Sequence, residues 1–132
     1  MILVLSCVFH PEPVVSAQIS KDLADTISVT NQIIVICPKP TRPAGTSYNV
    51  KDSEGSLYKR IILKSFIHPR SSFFGRMIES ISFGRATRIF IKEQNKEISV
   101  VYANTWPLFA QYAVTRTCKE LNIPLVLHVQ DI

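Results

Sequence analysis

Short runs of apolar residues recur along this chain, and their type and spacing constrain the fold more than any other feature. The first two runs, "ILVLSCVF" at 2–9 and "IIVIC" at 33–37, contain no charged residue. Strands that are apolar throughout are typical of parallel sheets that are covered by helices on both faces. Further strand-like runs at 58–66, 98–103 and 123–129 predict a sheet of five strands.

Helices are predicted between these strands. Apolar residues at four-residue spacing predict a first amphipathic helix, with a sheet-facing side formed by Val15, Ile19, Leu23 and Ile27. A long helix is predicted from about 72 to 95. A third is predicted from about 107 to 121, where small residues favour close packing on the sheet. The order β-α-β-β-α-β-α-β predicts one α/β domain over 1–132, with a three-layer, Rossmann-like, open and mostly parallel sheet.

Composition narrows the class of protein. With 46% hydrophobic and 19% charged residues, the chain is of the globular type. The start, "MILVLSCVF", has no basic segment before its apolar residues, so we interpret it as a strand and not as a signal peptide. The three cysteines, Cys7, Cys37 and Cys118, are odd in number and lack zinc-type spacing. They predict reduced thiols, a cytoplasmic location and no metal site.

The net charge of +5 predicts an anionic partner, which could be a nucleic acid, a membrane surface or a phosphorylated substrate. The helix at 72–95 mixes aromatic and apolar residues with basic ones. It is therefore a candidate contact with anionic lipids, through Arg76, Arg85, Arg88 and Lys92. An ordinary solvated helix face is the alternative. A nucleic-acid partner is disfavoured because no recognised nucleic-acid-binding motif is present.

Ligands of such sheets bind beyond the carboxyl ends of the strands. Three segments that emerge there, "FHPEPVVSA", "YANTWP" and "HVQDI", are rich in groups that bind or titrate. The candidate site residues are His10, Glu12, Ser16, Asn104, Thr105, Trp106, His128 and Asp131. We expect them to converge on one crevice.

Each of these residues also has a purely structural interpretation. Ser16 could cap the first helix, and Asn104 or Thr105 could cap the helix that starts near 107. His128 could be a hydrogen-bonded core histidine, Asp131 a cap for a helix beyond it, and Glu12 a solvated side chain. The first loop contains no glycine, which argues against a dinucleotide-binding motif, and no Walker A or G-x-S-x-G motif is present.

Several segments, taken in order, resemble the N-terminal half of family 4 glycosyltransferases of the GT-B fold. The opening "ILVLSCVFHPEPVVSAQISKDLADTI" resembles the family's first strand, Pro-rich loop and helix. "VICPKPTRPAG" resembles its P-x-x-P-x-G segment, and "ISFGRATRIFI" its Phe-containing helix. "VVYANTWPLFAQYAVTRTCKELNIPLVLHVQDI" resembles a segment that runs on into D-x-W-P or D-x-Y-P. The resemblance is to bacterial transferases of O-antigen and capsule, including the N-acetyl-L-fucosamine transferase group.

The resemblance implies a retaining, metal-independent enzyme of two domains, of which this chain is the N-terminal, acceptor-binding one. A nucleotide-sugar donor would bind to a C-terminal domain with an E-x7-E motif. The acceptor would be a saccharide, often linked to a polyprenyl diphosphate at the inner face of the cytoplasmic membrane. Asp131 matches the family's cleft aspartate, and is the candidate for catalysis or acceptor orientation. We therefore expect a longer protein, and no sugar transfer by this chain alone.

Two rival interpretations come from the residues themselves. The chain could be a stand-alone flavodoxin-like or regulatory α/β module that binds a ligand without catalysis. It could also be a peripheral membrane adaptor that uses the helix at 72–95.

Overall fold

The computed structural model describes residues 1–43, 46–50, 57–68, 72–104 and 107–129. Its strands are β1 (Ile2–Leu5), β2 (Ile33–Pro38), β3 (Lys59–Leu63), β4 (Val100–Ala103) and β5 (Leu125–Leu127). Its helices are α1 (Val15–Ser28), α2 (Phe73–Gln94) and α3 (Leu108–Glu120). The predicted order of helices and strands is confirmed.

The five strands form one sheet in the order β3-β2-β1-β4-β5, and every neighbouring pair is parallel. The central strand β1 pairs Leu3 with Ile34 of β2 on one side and with Val101 of β4 on the other. The Rossmann-like fold class is therefore confirmed. In such a sheet the chain order reverses beside β1, between β1 and β4.

The core lies on both faces of the sheet, which makes three layers. On one face, β1 and β2 bury Val4, Val35 and Cys37 in a cluster that includes Ala24 of α1. The other face carries a larger cluster in which Leu3 and other strand residues pack with the two remaining helices, through Phe83, Ile91, Ala110 and Val114. Alternate strand residues thus point to opposite layers, as the two-residue period of a strand requires.

The first strand is shorter than its apolar run. β1 ends at Leu5, and the following residues turn, although Val8 and Phe9 remain buried. In this turn the Ser6 hydroxyl donates to the carbonyl of Val8 at 2.5 Å. Apolar side chains are equally suited to a strand and to a buried turn, so the apolar pattern did not indicate where the strand ends.

The predicted inner face of α1 needs correction. The most deeply buried residues of this helix are small ones: Ala17, Ser20, Ala24 and Ser28. Val15, in contrast, is 75% exposed. Because small side chains let the helix approach the sheet closely, Ile19, Leu23 and Ile27 lie beside the contact and are only half-buried.

Helices α2 and α3 lie side by side on the other face and touch at Gly84. A Cβ atom at Gly84 would lie 2.9 Å from the Cα of Ala110 and 3.3 Å from the Cβ of Ala113. In addition, the Ser80 hydroxyl accepts the backbone N–H of Ala110 at 3.0 Å. The small residues of α3 therefore permit close contact with α2, and not only with the sheet as we had predicted.

Candidate functional site

A cavity of about 330 Å³ opens at the carboxyl edge of the sheet, on the side of α2 and α3. Cys7, which follows β1, lines its base, and Pro107, which precedes α3, lies at its rim. The loop after β2 and the segment after β3 form two of its walls, and the first turns of α2 form a third. The cavity therefore lies where ligands of parallel sheets bind, displaced from the β1–β4 junction toward β2 and β3.

Glu12 holds the wall that follows β2. This side chain is 7% exposed, and its Oε1 accepts the backbone N–H groups of Thr41 and Arg42, both at 2.9 Å. The two bonds join the loop after β1 to the loop after β2. Glu12 was predicted to line the cleft, and it does line the cavity, but its carboxylate organises a neighbouring loop and is not a solvated group.

The wall that follows β3 is joined to α2 by hydrogen bonds of the same kind, from backbone N–H groups to side chains. The backbone N–H of Phe66 donates to the Ser82 hydroxyl at 2.8 Å, and the N–H of His68 donates to Oε1 of Glu79. Two side chains of α2 thus position the backbone of a loop. Residues 64–68 have no regular secondary structure, and these bonds satisfy two of the backbone N–H groups that a sheet ladder would otherwise satisfy.

Three basic side chains line the cavity, from two of its walls. Lys39 and Arg42 belong to the loop after β2, and Arg76 belongs to α2. Glu12 and Glu79 also line the cavity, but both accept backbone N–H groups of its walls. The arrangement is suited to binding an anion that spans the two basic walls.

Cys7 gives the cavity an apolar base. Burial raises the pKa of its thiol far above the ordinary value, and the nearby Glu12 raises it further, against the opposite effect of Arg42. The thiol therefore stays protonated and adds no negative charge. Cys37 and Cys118 are buried, and no disulfide joins the three cysteines in the described part of the chain.

Ser16 and Asn104 are brought together, in a buried polar network at the β1–β4 junction. The Asn104 amide, which is 1% exposed, donates to the Ser16 carbonyl at 3.0 Å and to the Ser20 hydroxyl at 2.6 Å. The Ser20 hydroxyl also lies 2.9 Å from that of Ser6. This network joins the end of β4 to α1, through the side chain of Asn104 and the backbone carbonyl of Ser16.

The capping roles considered for these two residues are not observed. Helix α1 begins after Val14 and α3 after Pro107, and neither N-cap side chain makes a capping hydrogen bond. Ser72, which starts α2, is a side-chain cap, and accepts the N–H of Gly75 at 3.1 Å.

The two predicted histidines lie apart from the cavity lining. His128 is half-buried, and its Nδ1 lies 2.6 Å from the Tyr102 hydroxyl, which fits a hydrogen-bonded histidine at the sheet edge. Burial raises the pKa of Tyr102. His10 is exposed, and its carbonyl accepts a hydrogen bond from Arg60 at 2.9 Å.

Other predicted site residues cannot be placed. Thr105, Trp106 and Asp131 lie outside the described residues. The role of Asp131 therefore stays a prediction.

Exposed apolar residues and cations share one face of α2 and α3, which we call the α2–α3 face. On α2 it comprises Phe74, Ile78, Ile81, Arg85, Arg88, Ile89 and Lys92, all of them exposed. On α3 it comprises Phe109, Tyr112, Arg116 and Glu120. Apart from Ile89, the apolar residues lie toward the helix starts and the cations lie toward the helix ends, so most of the apolar part is on the side of the cavity.

Glu120 joins the two halves of this face. It bridges Arg116 at 2.9 Å, Lys92 at 3.6 Å and Arg88 at 3.8 Å. The hydrogen bond from Arg116 lowers the pKa of the Glu120 carboxyl, assisted by the neighbouring cations. Arg76, which we had grouped with the cations of α2, instead points toward the cavity.

Sequence reasoning did not single out Lys39, Arg42 or Glu79 as site residues. The Pro-rich loop at 38–43 offered one signal, because it has two cations and follows a strand that ends at the ligand edge. The contact of Arg60 with the His10 carbonyl gave no signal in the sequence, because a basic residue in an edge strand is ordinary.

Within the described ranges, no cluster of three or more histidine, cysteine or acidic side chains could hold a metal ion. No helix in the same part of the chain is long and apolar enough to cross a membrane.

Comparisons with solved structures place this fold beside two proteins. The chain superposes on UGT2, a UDP-glycosyltransferase of Phytolacca americana solved with UDP-2-fluoroglucose and pterostilbene, with a TM-score of 0.59 and 14% identity. That match covers 96% of this chain and 29% of the plant enzyme. The chain thus spans less than a third of the length of UGT2.

The second similar structure is the C-terminal domain, residues 78–226, of the PF1911 hydrogenase of Pyrococcus furiosus. Its TM-score is 0.57 at 14% identity, and the match covers 97% of this chain and 89% of that domain. No protein-family model matches the sequence, and neither does any curated protein. The two likenesses show a Rossmann-like domain of the kind that GT-B glycosyltransferases contain.

Proposed function

We propose that this chain is the acceptor-side domain of a retaining family 4 glycosyltransferase, of the N-acetyl-L-fucosamine transferase type. The full protein would move a sugar from a nucleotide sugar to a lipid-linked saccharide, in the synthesis of bacterial O-antigen or capsule. The donor would bind to a second domain. The observation that carries the proposal is the likeness of nearly the whole chain to part of a GT-B glycosyltransferase.

Two features of the site support this assignment. The cavity is open and lies at the ligand edge of the sheet, where a sugar acceptor could enter between two domains. The α2–α3 face places exposed apolar residues next to the cavity mouth, and Phe74 is 70% exposed there. An acceptor with a polar head and an apolar tail would match both surfaces.

The test is an assay of the full reading frame with nucleotide sugars and a polyprenyl-diphosphate saccharide. We expect transfer with retained anomeric configuration, and a large loss of turnover in Asp131→Asn. Asp22→Asn, on the exposed side of α1, is the matched control and should keep full turnover. A reading frame without a second domain would contradict the enzyme assignment. Unchanged turnover in Asp131→Asn would contradict the role of Asp131.

We further propose that the α2–α3 face contacts the anionic inner surface of the cytoplasmic membrane. The face offers four cations against one carboxylate, together with exposed aromatic and aliphatic side chains. We expect co-sedimentation with vesicles that contain phosphatidylglycerol, and little with phosphatidylcholine alone. Binding should fall in Arg85→Gln/Arg88→Gln/Lys92→Gln and in Phe74→Ser/Ile78→Ser.

Arg76→Gln is the matched control for this surface, because it removes one charge of the same helix from the cavity side. Unchanged vesicle binding in both the triple charge variant and the double apolar variant would contradict a role for the α2–α3 face. Membrane binding by a protein without transferase activity would favour the peripheral adaptor.

A ligand-binding module without catalysis is the second candidate. It is supported by the likeness to a hydrogenase domain, which shows that a unit of this size and fold occurs in a protein of another kind. Titration of this chain with flavins, nucleotides and nucleotide sugars tests it. Micromolar binding of a flavin or nucleotide by this chain alone would favour the module over the acceptor domain.

A further inference from the structure

The cavity collects cations that the sequence separates. Lys39 and Arg42 line it from the loop after β2, and Arg76 lines it from α2, more than thirty residues further along the chain. Neither Lys39 nor Arg42 forms an ion pair with a carboxylate among the described residues. The fold therefore gathers positive charge at the mouth of a cavity that is large enough for a small ligand.

The two carboxylates that line the cavity offset only part of this charge, because the lining contains three cations. Glu12 accepts the N–H groups of Thr41 and Arg42, and Glu79 accepts the N–H of His68. Each carboxylate is directed at the backbone of a wall and fixes the loop from which that wall is built. The bonds of Glu12 fix the loop that carries Lys39 and Arg42, and the bond of Glu79 joins the segment after β3 to α2, the helix that carries Arg76.

The base of the cavity is apolar. Cys7, Pro38, Phe66 and Phe83 line it, and burial raises the pKa of the Cys7 thiol, which therefore stays neutral. Charges interact more strongly beside such low-dielectric surfaces than in open water. An anion seated above this base would therefore be attracted more strongly by the cations than one on an open surface.

We propose that this cavity is a subsite for a phosphate or diphosphate group, held between Lys39 and Arg42 on one wall and Arg76 on the other. Arginine is suited to the task because its planar guanidinium donates two parallel hydrogen bonds to a phosphate. The subsite deepens the proposed function, and rests on it only for the identity of the molecule that carries the phosphate.

The test uses this chain and inorganic pyrophosphate, with binding measured by isothermal titration calorimetry at 150 mM salt. The wild-type chain should bind, and its melting temperature should rise with pyrophosphate concentration. The triple variant Lys39→Gln/Arg42→Gln/Arg76→Gln should lose at least tenfold in affinity. Its melting temperature without ligand shows whether it folds. If it does not fold, Arg42→Gln alone gives the same comparison.

The matched control is Arg85→Gln/Arg88→Gln/Lys92→Gln, which removes the same number of charges from the α2–α3 face. Its affinity for pyrophosphate should stay within about twofold of the wild-type value. An equal loss in both triple variants would show general charge attraction and overturn the subsite, as would a wild-type chain that does not bind.

Two further measurements separate the possible sources of the phosphate. Vesicles that contain phosphatidic acid should displace pyrophosphate if a lipid headgroup occupies the cavity, and should not if the ligand is a soluble phosphate ester. Pyrophosphate binding without sugar transfer by the full reading frame would leave the subsite in place and contradict the proposed function. Sugar transfer by the full protein, together with normal pyrophosphate binding and normal turnover in the triple cavity variant, would support the proposed function and overturn the subsite.

Discussion

Two threonines, Thr87 on α2 and Thr117 on α3, are both completely buried, yet they differ in how their hydroxyl groups are satisfied. The Thr117 hydroxyl donates to the carbonyl of Ala113 at 2.7 Å. The Thr87 hydroxyl has no hydrogen-bond partner among the described residues. A buried polar group without a partner costs about 1–3 kcal/mol, so Thr87 lowers the stability of the fold.

We expect Thr87→Val to raise the free energy of unfolding by about 1 kcal/mol, because it removes the unsatisfied hydroxyl and keeps the branched shape. Thr117→Val, the matched control, should lower the free energy by about 0.5–1.5 kcal/mol, because it removes a hydroxyl that is bonded. Urea denaturation measures both values. Equal destabilisation by the two changes would show that the Thr87 hydroxyl is satisfied in solution.

Glu12 allows a prediction about the cavity wall. Glu12→Ala should lower the free energy of unfolding by about 2 kcal/mol, because the N–H groups of Thr41 and Arg42 lose a charged acceptor. Glu12→Gln should cost less, because its amide oxygen can still accept both bonds. Hydrogen exchange should be faster at Thr41 and Arg42 in the alanine variant.

Glu93→Ala, on the exposed side of α2, is the control for this experiment and should change neither stability nor exchange at the wall. Unchanged exchange at Thr41 and Arg42 in Glu12→Ala would mean that the loop does not depend on the Glu12 carboxylate.

At the scale of elements, the contact between α2 and α3 depends on Gly84. Alanine is favoured over glycine inside a helix by about 1 kcal/mol. Against this gain, a Cβ at Gly84 would meet the backbone of Ala110 at 2.9 Å, and backbone atoms cannot swing aside. Overpacking of this kind costs about 1–3 kcal/mol, so the clash should outweigh the gain in helix propensity.

We therefore expect Gly84→Ala to lower the melting temperature, and Gly84→Val to lower it further. The neighbouring change Arg85→Ala, at an exposed position, should alter the free energy of unfolding by less than about 0.5 kcal/mol. Differential scanning calorimetry measures all three. A Gly84→Ala variant that is more stable than the wild type would show that the two helices can separate without loss.

At the scale of the whole molecule, burial makes stability depend on alkaline pH. Desolvation raises the pKa of Tyr58 to about 12 and that of Cys118 to about 11. The unfolded chain releases these protons at lower pH than the folded chain does. The stability that the protonated groups contribute is thus present below pH of about 8.5 and is lost as the pH rises toward 12.

We expect the free energy of unfolding to fall between pH 8 and pH 10.5, in urea titrations at constant ionic strength. The fall should be smaller in Tyr58→Phe/Cys118→Ala, which lacks both groups, even if this variant is less stable at pH 8. Tyr48→Phe, which removes a hydroxyl that donates to the Arg42 carbonyl, is the control and should keep the wild-type slope. An equal slope in all three proteins would assign the alkaline loss to other groups.

The order of strands and helices could be predicted because it depends on local periodicity. Runs such as Ile33–Pro38 are apolar at every position, and that pattern fits a strand covered on both faces. Because the strands are parallel, their carboxyl ends must share an edge, and this is the edge at which the cavity opens. The same local rules predicted three helices and the segments between them.

Which residues meet at that edge depends on distances that no local pattern contains. Lys39 and Arg76 line the same cavity only because the loop after β2 and helix α2 both border it. Glu12 is held there by the backbone N–H groups of Thr41 and Arg42. Likewise, the buried side of α1 is decided by how closely the helix can approach the sheet. The sequence by itself determined the fold class and the edge that carries the site, because hydrophobic periodicity is local. The tertiary structure decided which charged side chains, loops and helices meet at that site, because this depends on packing between segments far apart in the chain.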